Sequence, residues 1–428
     1  MEQRKLKAII LGCGDRGLIY ANYIKEHSLE VELVAIAEPD YGRRTRIQQL
    51  HNLDDKCCVK DFRKLLCQEK FADFVIVSTQ DRMHYEPTIQ ALRRGYDILL
   101  EKPMSPVLHE CIQMVEEAEK CGRKLVVCHV LRYSPFFGKI KEVIDSGEIG
   151  EIVSVQHSEN VGYWHQAHSF VRGSWSDSNK SCPMILAKCC HDMDLMNWLI
   201  ESQCVKISSF GSLTRFNKEH APKDAATRCT DLCLARADCP YDATEIYYRY
   251  LNSRTIDGKF AWPLSAMTSG NTREDVTEAI RNGPYGRCVY HCNNNVVDHQ
   301  VVNLEYQNDV TVSLTMCAFT ADMSRNLRIM GTDGEMDACT KSNNIMVKKF
   351  KTRESIEYTP TECLTGHGGG DDGLLNDFVW YVRDGIKTKS ITDAKTSLAS
   401  HVIALAAEES RKNGINVKFD DFYNQNYK

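Results

Sequence analysis

The chain has 428 residues, 43% hydrophobic and 26% charged, a composition typical of a folded protein of two or three domains. With 53 basic and 58 acidic side chains and a formal charge of −5, it has no basic block that would favour nucleic acid or an anionic membrane. No apolar run approaches the roughly 18 residues of a membrane helix, and the charged start does not resemble an export signal. We therefore expect a cytoplasmic protein with no nucleic-acid or membrane partner, whose 19 cysteines are mostly reduced, small apolar side chains.

The first 130 residues alternate short apolar runs with amphipathic segments. This pattern predicts βαβ units, which build a parallel sheet covered by helices on both faces. The amphipathic segment around Val115 is expected to be a helix with Ser105 as its cap and Pro106 in its first turn. The strands are predicted at 6–11, 31–37, 74–78, 97–100 and 124–128.

A glycine-rich turn follows the first predicted strand. Gly12, Gly14 and Gly17 form the pattern G-x-G-x-x-G, which allows a tight turn, close approach of a pyrophosphate and close packing of helix on strand. The N–H groups at the start of the next helix would bind phosphate oxygens. Glu38, at the end of the second strand, would accept hydrogen bonds from ribose hydroxyls and repel a 2′-phosphate. These features predict binding of NAD, with NADP possible because two arginines follow Glu38 closely; a purely structural turn is the alternative.

Longer motifs in the chain resemble those of the Gfo/Idh/MocA oxidoreductases, which include glucose–fructose oxidoreductase and inositol dehydrogenase. Glu101-Lys102-Pro103 closes the fifth predicted strand, and S-T-Q-D-R-M-H at 78–84 follows the fourth. H-V-L-R-Y-S-P at 129–135 is similar to the crossover segment of that family, and H-D-M-D at 191–194 to its H-x-x-D signature. The resemblance implies an NAD(P)-dependent oxidoreductase that acts on a sugar, polyol or sugar derivative.

The second part of the chain changes to alternating strands, predicted at 151–160, 206–214, 296–306, 309–318, 326–330 and 344–349. Long, mostly antiparallel strands with one polar face predict an α+β domain. We expect a doubly wound Rossmann domain over 1–130 and this domain over 131–428, with a C-terminal helix at about 393–413. The resemblance implies that its sheet is large and open-faced, and that a homodimer or homotetramer forms through it.

The resemblance assigns the chemistry to Lys102 and His191. Oxidation of a sugar hydroxyl needs a hydride acceptor and a group that takes the hydroxyl proton. Lys102 lies at the carboxyl end of a parallel strand, where ligands of such sheets bind, and burial beside a cofactor would lower its pKa. His191, in a helix predicted over 184–200, would relay the proton or orient the hydroxyl. On the residues alone, an ion pair between Lys102 and Glu101 and a histidine in the core remain alternatives.

One position departs from the inositol dehydrogenase pattern. That subgroup has an aspartate four residues before the histidine, completing a Lys-Asp-His set, whereas this chain has Ala187 followed by Lys188. We therefore expect that Lys188 supplies a positive charge near the substrate, or that another residue acts as the base.

Two loops are predicted to line the site. An aromatic and basic cluster at 163–175 would stack on a sugar ring or pack on the second domain, and a glycine-rich loop at 366–371 would close over a ligand, with Asp371 capping the next helix. The predicted cofactor-binding residues are Gly12, Gly14, Asp15, Arg16, Gly17, Glu38, Ser78, Thr79, His84, Glu101 and Lys102. The predicted substrate-binding residues are Tyr163, Trp164, His165, His168, Arg172, Lys188 and His367.

An insertion at about 217–295 carries five cysteines. Four thiolates can bind a tetrahedral zinc ion, and a structural zinc would hold this irregular segment in place. The predicted ligands are Cys229, Cys233, Cys239 and Cys288, with Cys292 as a substitute. Because the spacing matches no standard zinc motif, unpaired thiols are the alternative.

The leading hypothesis is an NAD-dependent sugar or polyol dehydrogenase. A second is a redox-neutral enzyme that cleaves a glycoside by transient oxidation, elimination and hydration, as the resemblance also allows. A third is a regulator that binds NAD without catalysis.

Overall fold

The structure is a computed structural model that describes residues 4–255, 257–363 and 366–427. Its first sheet has six parallel strands in the order β3-β2-β1-β4-β5-β6. The sheet order reverses between β1 and β4, the point at which doubly wound sheets bind ligands beyond the carboxyl ends of their strands. These strands are β1 (Leu6–Leu11), β2 (Val31–Ala37), β3 (Cys58–Val59), β4 (Phe74–Val77), β5 (Asp97–Leu100) and β6 (Leu125–Val127).

Five helices of this domain alternate with the strands, as the apolar pattern predicts. They are α1 (Asp15–Glu26), α2 (Tyr41–His51), α3 (Arg63–Leu66), α4 (Tyr85–Arg93) and α5 (Leu108–Cys121). The predicted start of α5 is wrong, because the helix begins at Leu108 after Val107. The hydroxyl of Ser105 instead accepts a hydrogen bond from the N–H of Val107, two residues on, and so forms a turn before the helix.

The second sheet has nine strands in the order β14-β13-β12-β11-β7-β10-β9-β8-β15. All neighbouring pairs are antiparallel except β7 with β10. The predicted fold class, a Rossmann sheet followed by a mostly antiparallel sheet, is confirmed. The strands are β7 (Ile152–Asn160), β8 (Cys204–Ser212), β9 (His299–Tyr306), β10 (Thr311–Cys317), β11 (Ser324–Gly331), β12 (Gly334–Cys339), β13 (Asn344–Lys349), β14 (Ser355–Tyr358) and β15 (Val417–Lys418).

One face of the large sheet is covered and the other is open. Helix α8 begins directly after Pro183, as predicted, and packs with α12 against the apolar side chains of the covered face. The open face carries polar side chains such as Gln156, Ser313 and Asn326. The helices after α5 are α6 (Pro135–Asp145), α7 (Tyr163–His165), α8 (Met184–Ile200), α9 (Ala243–Tyr248), α10 (Arg273–Asn282), α11 (Gly370–Asp384), α12 (Ala394–Asn413) and α13 (Phe419–Tyr427).

The two sheets are joined by helices from the end of the chain. Helix α11 packs on the Rossmann sheet, where the ring of Phe378 meets that of Phe74 edge to face at 5.1 Å. Helix α12 contacts both α8 and α5, and the imidazole of His401 accepts a hydrogen bond from the N–H of Met104 at 2.8 Å. The loops that follow β4 and β5 are therefore held against the second sheet's helices. In the described ranges, no helix is both long enough and apolar enough to cross a bilayer.

Candidate active site

The glycine-rich loop has the shape that a dinucleotide needs. Gly12 has a φ of +92°, and a Cβ there would lie 2.5 Å from the carbonyl oxygen of Ser78. A Cβ at Gly17 would lie 2.1 Å from the carbonyl oxygen of Gly12, so helix α1 can pack this closely only with glycine. A Cβ at Gly14 would meet nothing within 4 Å, which leaves its backbone open to a ligand at the start of α1. The three positions therefore fit a bound pyrophosphate.

Glu38 links this loop to the end of β2. One of its carboxylate oxygens accepts a hydrogen bond from the N–H of Cys13 at 2.7 Å, and the other accepts one from the N–H of Asp40 at 2.9 Å. Each oxygen keeps a second lone pair, so both can still accept hydrogen bonds from ribose hydroxyls. The neighbouring Arg44 guanidinium donates to the carbonyl oxygen of Glu38, which holds the end of β2 in place.

The loops after β4 and β5 are tied to the glycine-rich loop and to each other. The hydroxyl of Ser78 donates to the carbonyl oxygen of Gly12 at 2.8 Å, and that of Thr79 donates to the carbonyl oxygen of Met83 at 3.0 Å. The ring nitrogens of His84 lie 2.7 Å and 3.0 Å from the carbonyl oxygens of Pro103 and Thr79. These predicted cofactor residues thus build the walls of the cleft next to Lys102.

Arg16 lies between two buried carboxylates. Its guanidinium bonds to Glu101 at 2.5 Å and to Asp371, the second residue of α11, at 2.8 Å. Burial by itself would raise the pKa of Glu101, but the charges of Arg16 and Lys102 outweigh it and lower that pKa. The pKa of Asp371 is lowered as well, since Arg16 and His367 outweigh its burial. The predicted helix-capping role of Asp371 is therefore wrong, and the alternative of a Lys102–Glu101 ion pair is replaced by the pair with Arg16.

Lys102 and His191 meet at the carboxyl edge of the parallel sheet. The ammonium of Lys102 donates a hydrogen bond to the backbone carbonyl oxygen of Ala187 at 3.0 Å, one helical turn before His191 on α8. The backbone of Ala187 therefore positions Lys102, at the residue where the inositol dehydrogenase pattern has an aspartate. His191 is buried, and its pKa lies well below the ordinary value of 6.5 because of that burial and of the charge of Lys102. It is uncharged near neutral pH and can accept a proton.

His367 lies beside His191 and is oriented by a carboxylate. The two rings are 6.0 Å apart between centroids. The Nδ1 atom of His367 lies 3.1 Å from a carboxylate oxygen of Asp371 and 3.2 Å from the other. A carboxylate only accepts hydrogen bonds, so Nδ1 carries the proton and Nε2 is the free acceptor. The side chain is 40% exposed, which gives this imidazole a path to solvent.

The predicted substrate residues separate into two groups. His165 lies close enough to Lys102 for its charge to act on the imidazole, and the indole of Trp262 from the insertion packs on both Trp164 and His165 at 5.3 Å and 5.2 Å. Tyr163 instead packs on Tyr241 in the core of the insertion. Burial and the charge of Lys188 lower the pKa of His165. The ammonium of Lys188 bonds to the buried Glu159 at 3.0 Å. Lys188 is thus paired, and part of its positive charge is neutralised.

His168 and Arg172 are buried under the insertion. The guanidinium of Arg172 donates to the carbonyl oxygens of Arg287 and Tyr241 at 2.8 Å and 2.6 Å. The ring of His168 stacks on Tyr285 at 4.8 Å. Their predicted contact with substrate is therefore not supported, because both side chains are engaged in holding the insertion.

The cysteines of the insertion do not form a metal site in the described ranges. Cys229, Cys233, Cys239 and Cys288 line one small cavity. Among the residues that the structure describes, however, no three His, Cys, Asp or Glu side chains are placed to hold an ion. Zinc binding stays a prediction, to be checked by metal analysis of the purified protein.

Two further histidines extend inward from His191 and make the fold sensitive to acid. The ring of His129 lies 5.6 Å from those of His191 and His401, and burial lowers the pKa values of His129 and His401 to about 3. In the unfolded chain both take up protons near pH 6.5, so the unfolded state binds more protons and stability falls as the pH drops below that value. We expect each of these two histidines to lower the free energy of unfolding by about 1 kcal/mol when the pH falls from about 6 to about 5. Urea denaturation at the two pH values checks this, and His129→Gln should reduce the loss by that amount.

Comparison with known proteins identifies the family. Residues 6–129 match the model of an oxidoreductase family with an NAD-binding Rossmann fold, and 141–419 match the model of the C-terminal alpha/beta domain of that family. The chain belongs to the Gfo/Idh/MocA oxidoreductase family. The resemblance seen in its motifs is therefore confirmed, and so is a nicotinamide dinucleotide as its cofactor class.

Individual members of this family are distant from the chain. The putative oxidoreductase YteT of Bacillus subtilis is 25% identical over 320 residues, which are 71% of each chain. Inositol 2-dehydrogenase 4 of Saccharopolyspora erythraea is 26% identical over 209 residues, 49% of this chain and 58% of that enzyme. An Agrobacterium radiobacter oxidoreductase, solved with NAD+, L-tartaric acid and magnesium, superposes with a TM-score of 0.70 at 15% identity, covering 98% of this chain and 99% of the other.

Several site residues could not be found from the sequence. Asp371 and Glu101 are 270 positions apart and meet only through Arg16, so no local spacing indicates the network. Trp262 lies in an insertion of irregular structure, and its place over the cleft depends on long-range packing. The glycine pattern, by contrast, is local and indicates its own function.

Proposed function

We propose that the protein is an NAD-dependent oxidoreductase that acts on a secondary hydroxyl of a sugar, polyol or sugar derivative. The observation that carries this is the hydrogen bond of Lys102 to the helix that bears the uncharged His191, next to Glu101, which binds Arg16 of the glycine-rich loop. The named activity of a relative, inositol 2-dehydrogenase, and the aromatic side chains of Trp164 and Trp262 support a carbohydrate-like substrate, because aromatic faces pack on the C–H faces of sugar rings.

In this proposal each side chain has one task. The ammonium of Lys102, held by the carbonyl of Ala187, donates a hydrogen bond to the reacting oxygen and stabilises negative charge there. The imidazole of His191 takes the hydroxyl proton, and His367, with its free Nε2, passes it to solvent. The bound nicotinamide supplies the hydride acceptor. Asp371 keeps His367 in the tautomer that can accept a proton.

The chemistry of Glu38 supports NAD over NADP. Its carboxylate lies at the end of β2, and a 2′-phosphate there would meet like charge. We expect the protein to bind NAD at least about tenfold more tightly than NADP. Glu38→Gln keeps an acceptor oxygen and removes the charge, so it should reduce the ratio of NAD affinity to NADP affinity. Calorimetric titration of both proteins with both nucleotides measures this ratio. Equal affinities in the wild type would contradict the assignment.

A panel of free sugars, polyols and sugar acids tests the substrate class. The purified protein is mixed with NAD and each compound, and formation of NADH is followed. Turnover on at least one carbohydrate that is lost in His191→Asn would support the proposal. Binding of NAD without net formation of NADH from any member would contradict a dehydrogenase of these compounds and leave the redox-neutral enzyme and the non-catalytic regulator.

The open face of the large sheet is the surface through which we propose that the subunits associate. It bears hydroxyl and amide side chains, including Ser158, Thr315 and Asn326, around an open depression. Such a surface can form a wet interface of many hydrogen bonds. We propose that this association gives a dimer or a tetramer.

A further inference from the structure

One segment of the insertion contacts the first domain on both sides of the expected nucleotide cleft. The hydroxyl of Ser265 donates to the carboxylate of Asp15, the first residue of α1, at 2.5 Å. Four residues later Ser269 lies against Gly42 at the start of α2, where a Cβ would come within 3.3 Å of the serine side chain. A pyrophosphate binds at the start of α1, and the ribose binds near Glu38, just before α2. The insertion therefore bridges the two helix ends that flank the nucleotide.

An ion pair fixes the outer end of this segment. The guanidinium of Arg46 on α2 binds both carboxylate oxygens of Asp257, at 2.5 Å and 2.7 Å, and the hydroxyl of Thr255 at 2.7 Å. The Arg46 and Asp257 side chains are only 19% and 21% exposed. A two-point pair with little exposure is stronger and more directional than an ordinary surface pair.

The middle of the segment packs on the aromatic cluster that carries Trp164 and His165. The indole of Trp262 packs on His165 and Trp164 at 5.2 Å and 5.3 Å. Residues 257–269, which we name the strap, therefore run from helix α2 to the aromatic cluster and back to the start of α2. Tyr285, also from the insertion, lies close enough to Asp15 and Arg43 for their charges to act on its phenol.

We propose that the strap is the second wall of the dinucleotide site and retains the cofactor through successive turnovers. This rests on the proposed function only in that a dinucleotide occupies the cleft. For the nucleotide to leave, the Arg46–Asp257 pair and the Ser265–Asp15 hydrogen bond have to open together. Release is then slower than the chemical step, and the protein keeps one dinucleotide while substrates exchange.

Retention of the cofactor has different consequences for a dehydrogenase and for a redox-neutral enzyme, the two net reactions considered for this chain. A simple dehydrogenase has to release the reduced cofactor after each turnover, so a closed site would slow that release. A redox-neutral enzyme ends each cycle with the cofactor in its starting oxidation state, so it works with a dinucleotide that never leaves. Retention is therefore a requirement of the redox-neutral alternative, and in a dehydrogenase it would make release of the reduced cofactor the slow step.

The dissociation rate of the nucleotide tests the strap without any substrate. The full-length protein is loaded with NADH, and loss of energy transfer from tryptophan to NADH is followed after mixing with excess NAD. We expect Arg46→Ala and Asp257→Ala each to raise the dissociation rate roughly tenfold. The double variant should match the singles, because both remove the same pair. The exchanged pair, Arg46→Asp with Asp257→Arg, should recover much of the retention.

Arg63→Ala is the matched control, since it removes a surface pair with Glu86 far from the insertion and should leave the rate unchanged. Thermal unfolding of each variant shows whether it is folded. If Arg46→Ala does not fold, the dissociation rate of Asp257→Ala, a variant in the insertion, tests the proposal. Equal dissociation rates in wild type, Asp257→Ala and the control would overturn the proposal. Because the dissociation rates are measured without substrate, they test the strap even if no compound of the carbohydrate panel is oxidised.

Discussion

Replacing Lys102 by methionine should lower kcat by about three orders of magnitude or more while leaving NAD binding within about twofold. Methionine keeps most of the volume and removes the charge and the hydrogen bond to the carbonyl of Ala187. The reacting oxygen then loses the donor that stabilises its developing negative charge. Steady-state kinetics with the best substrate of the panel, together with a nucleotide titration, measures both quantities.

Lys188→Met is the matched control for this substitution. It is the next lysine along the cleft, but its ammonium is paired with Glu159 and is not placed on the Ala187 carbonyl. We expect its effect to be much smaller and to fall mainly on KM. If the two variants lost activity equally, the assignment of Lys102 as the group acting on the reacting oxygen would be wrong.

Replacing Arg16 by methionine should destabilise the fold by about 3–5 kcal/mol, the cost typical of breaking a buried ion pair from one side. The side chains of Glu101 and Asp371 are 6% and 2% exposed, so neither carboxylate can turn to water when the guanidinium is removed. Urea denaturation at neutral pH measures the loss. Arg63→Met, which breaks an exposed pair, should cost less than about 1 kcal/mol.

The pH dependence of this destabilisation shows whether it comes from the lost ion pairs or from a simple packing defect. In the wild type both carboxylates have lowered pKa values, so their stabilisation is present at neutral pH and is lost as the pH falls toward those values. In Arg16→Met the unpaired carboxylates favour protonation, so the difference between variant and wild type should shrink in acid. A difference that is constant with pH would contradict the electrostatic account.

Five of the six strands of the first sheet could be predicted from sequence, because they are short apolar runs that are buried on both faces. Strand β3, only two half-buried residues, was missed. Strands 6–11, 31–37 and 97–100 have the predicted bounds. In the second sheet, strands β12, β14 and β15 were missed. In β12, Gly334 and Asp337 weaken a run in which only Met336 and Ala338 carry the apolar alternation.

The candidate site could be predicted only where its chemistry is local. The glycine loop, Lys102 and His191 stand in motifs that carry their own spacing. The pairing of Arg16 with Asp371 and the position of the strap over α1 and α2 depend on how distant segments pack, which a single sequence does not show. For Arg172, a basic residue in an aromatic cluster suggested a ligand contact, and the structure shows hydrogen bonds to backbone carbonyls of the insertion.

The most direct test of the account is a single turnover of the NAD-loaded protein with excess carbohydrate, followed by NADH absorbance and by analysis of the sugar product. We expect NADH to form on the protein in the wild type, and not in Lys102→Met or His191→Asn, although all three hold NAD. Absence of NADH in the wild type with every sugar, polyol and glycoside tested, despite bound NAD, would contradict the assignment of this cleft as a carbohydrate oxidoreductase site.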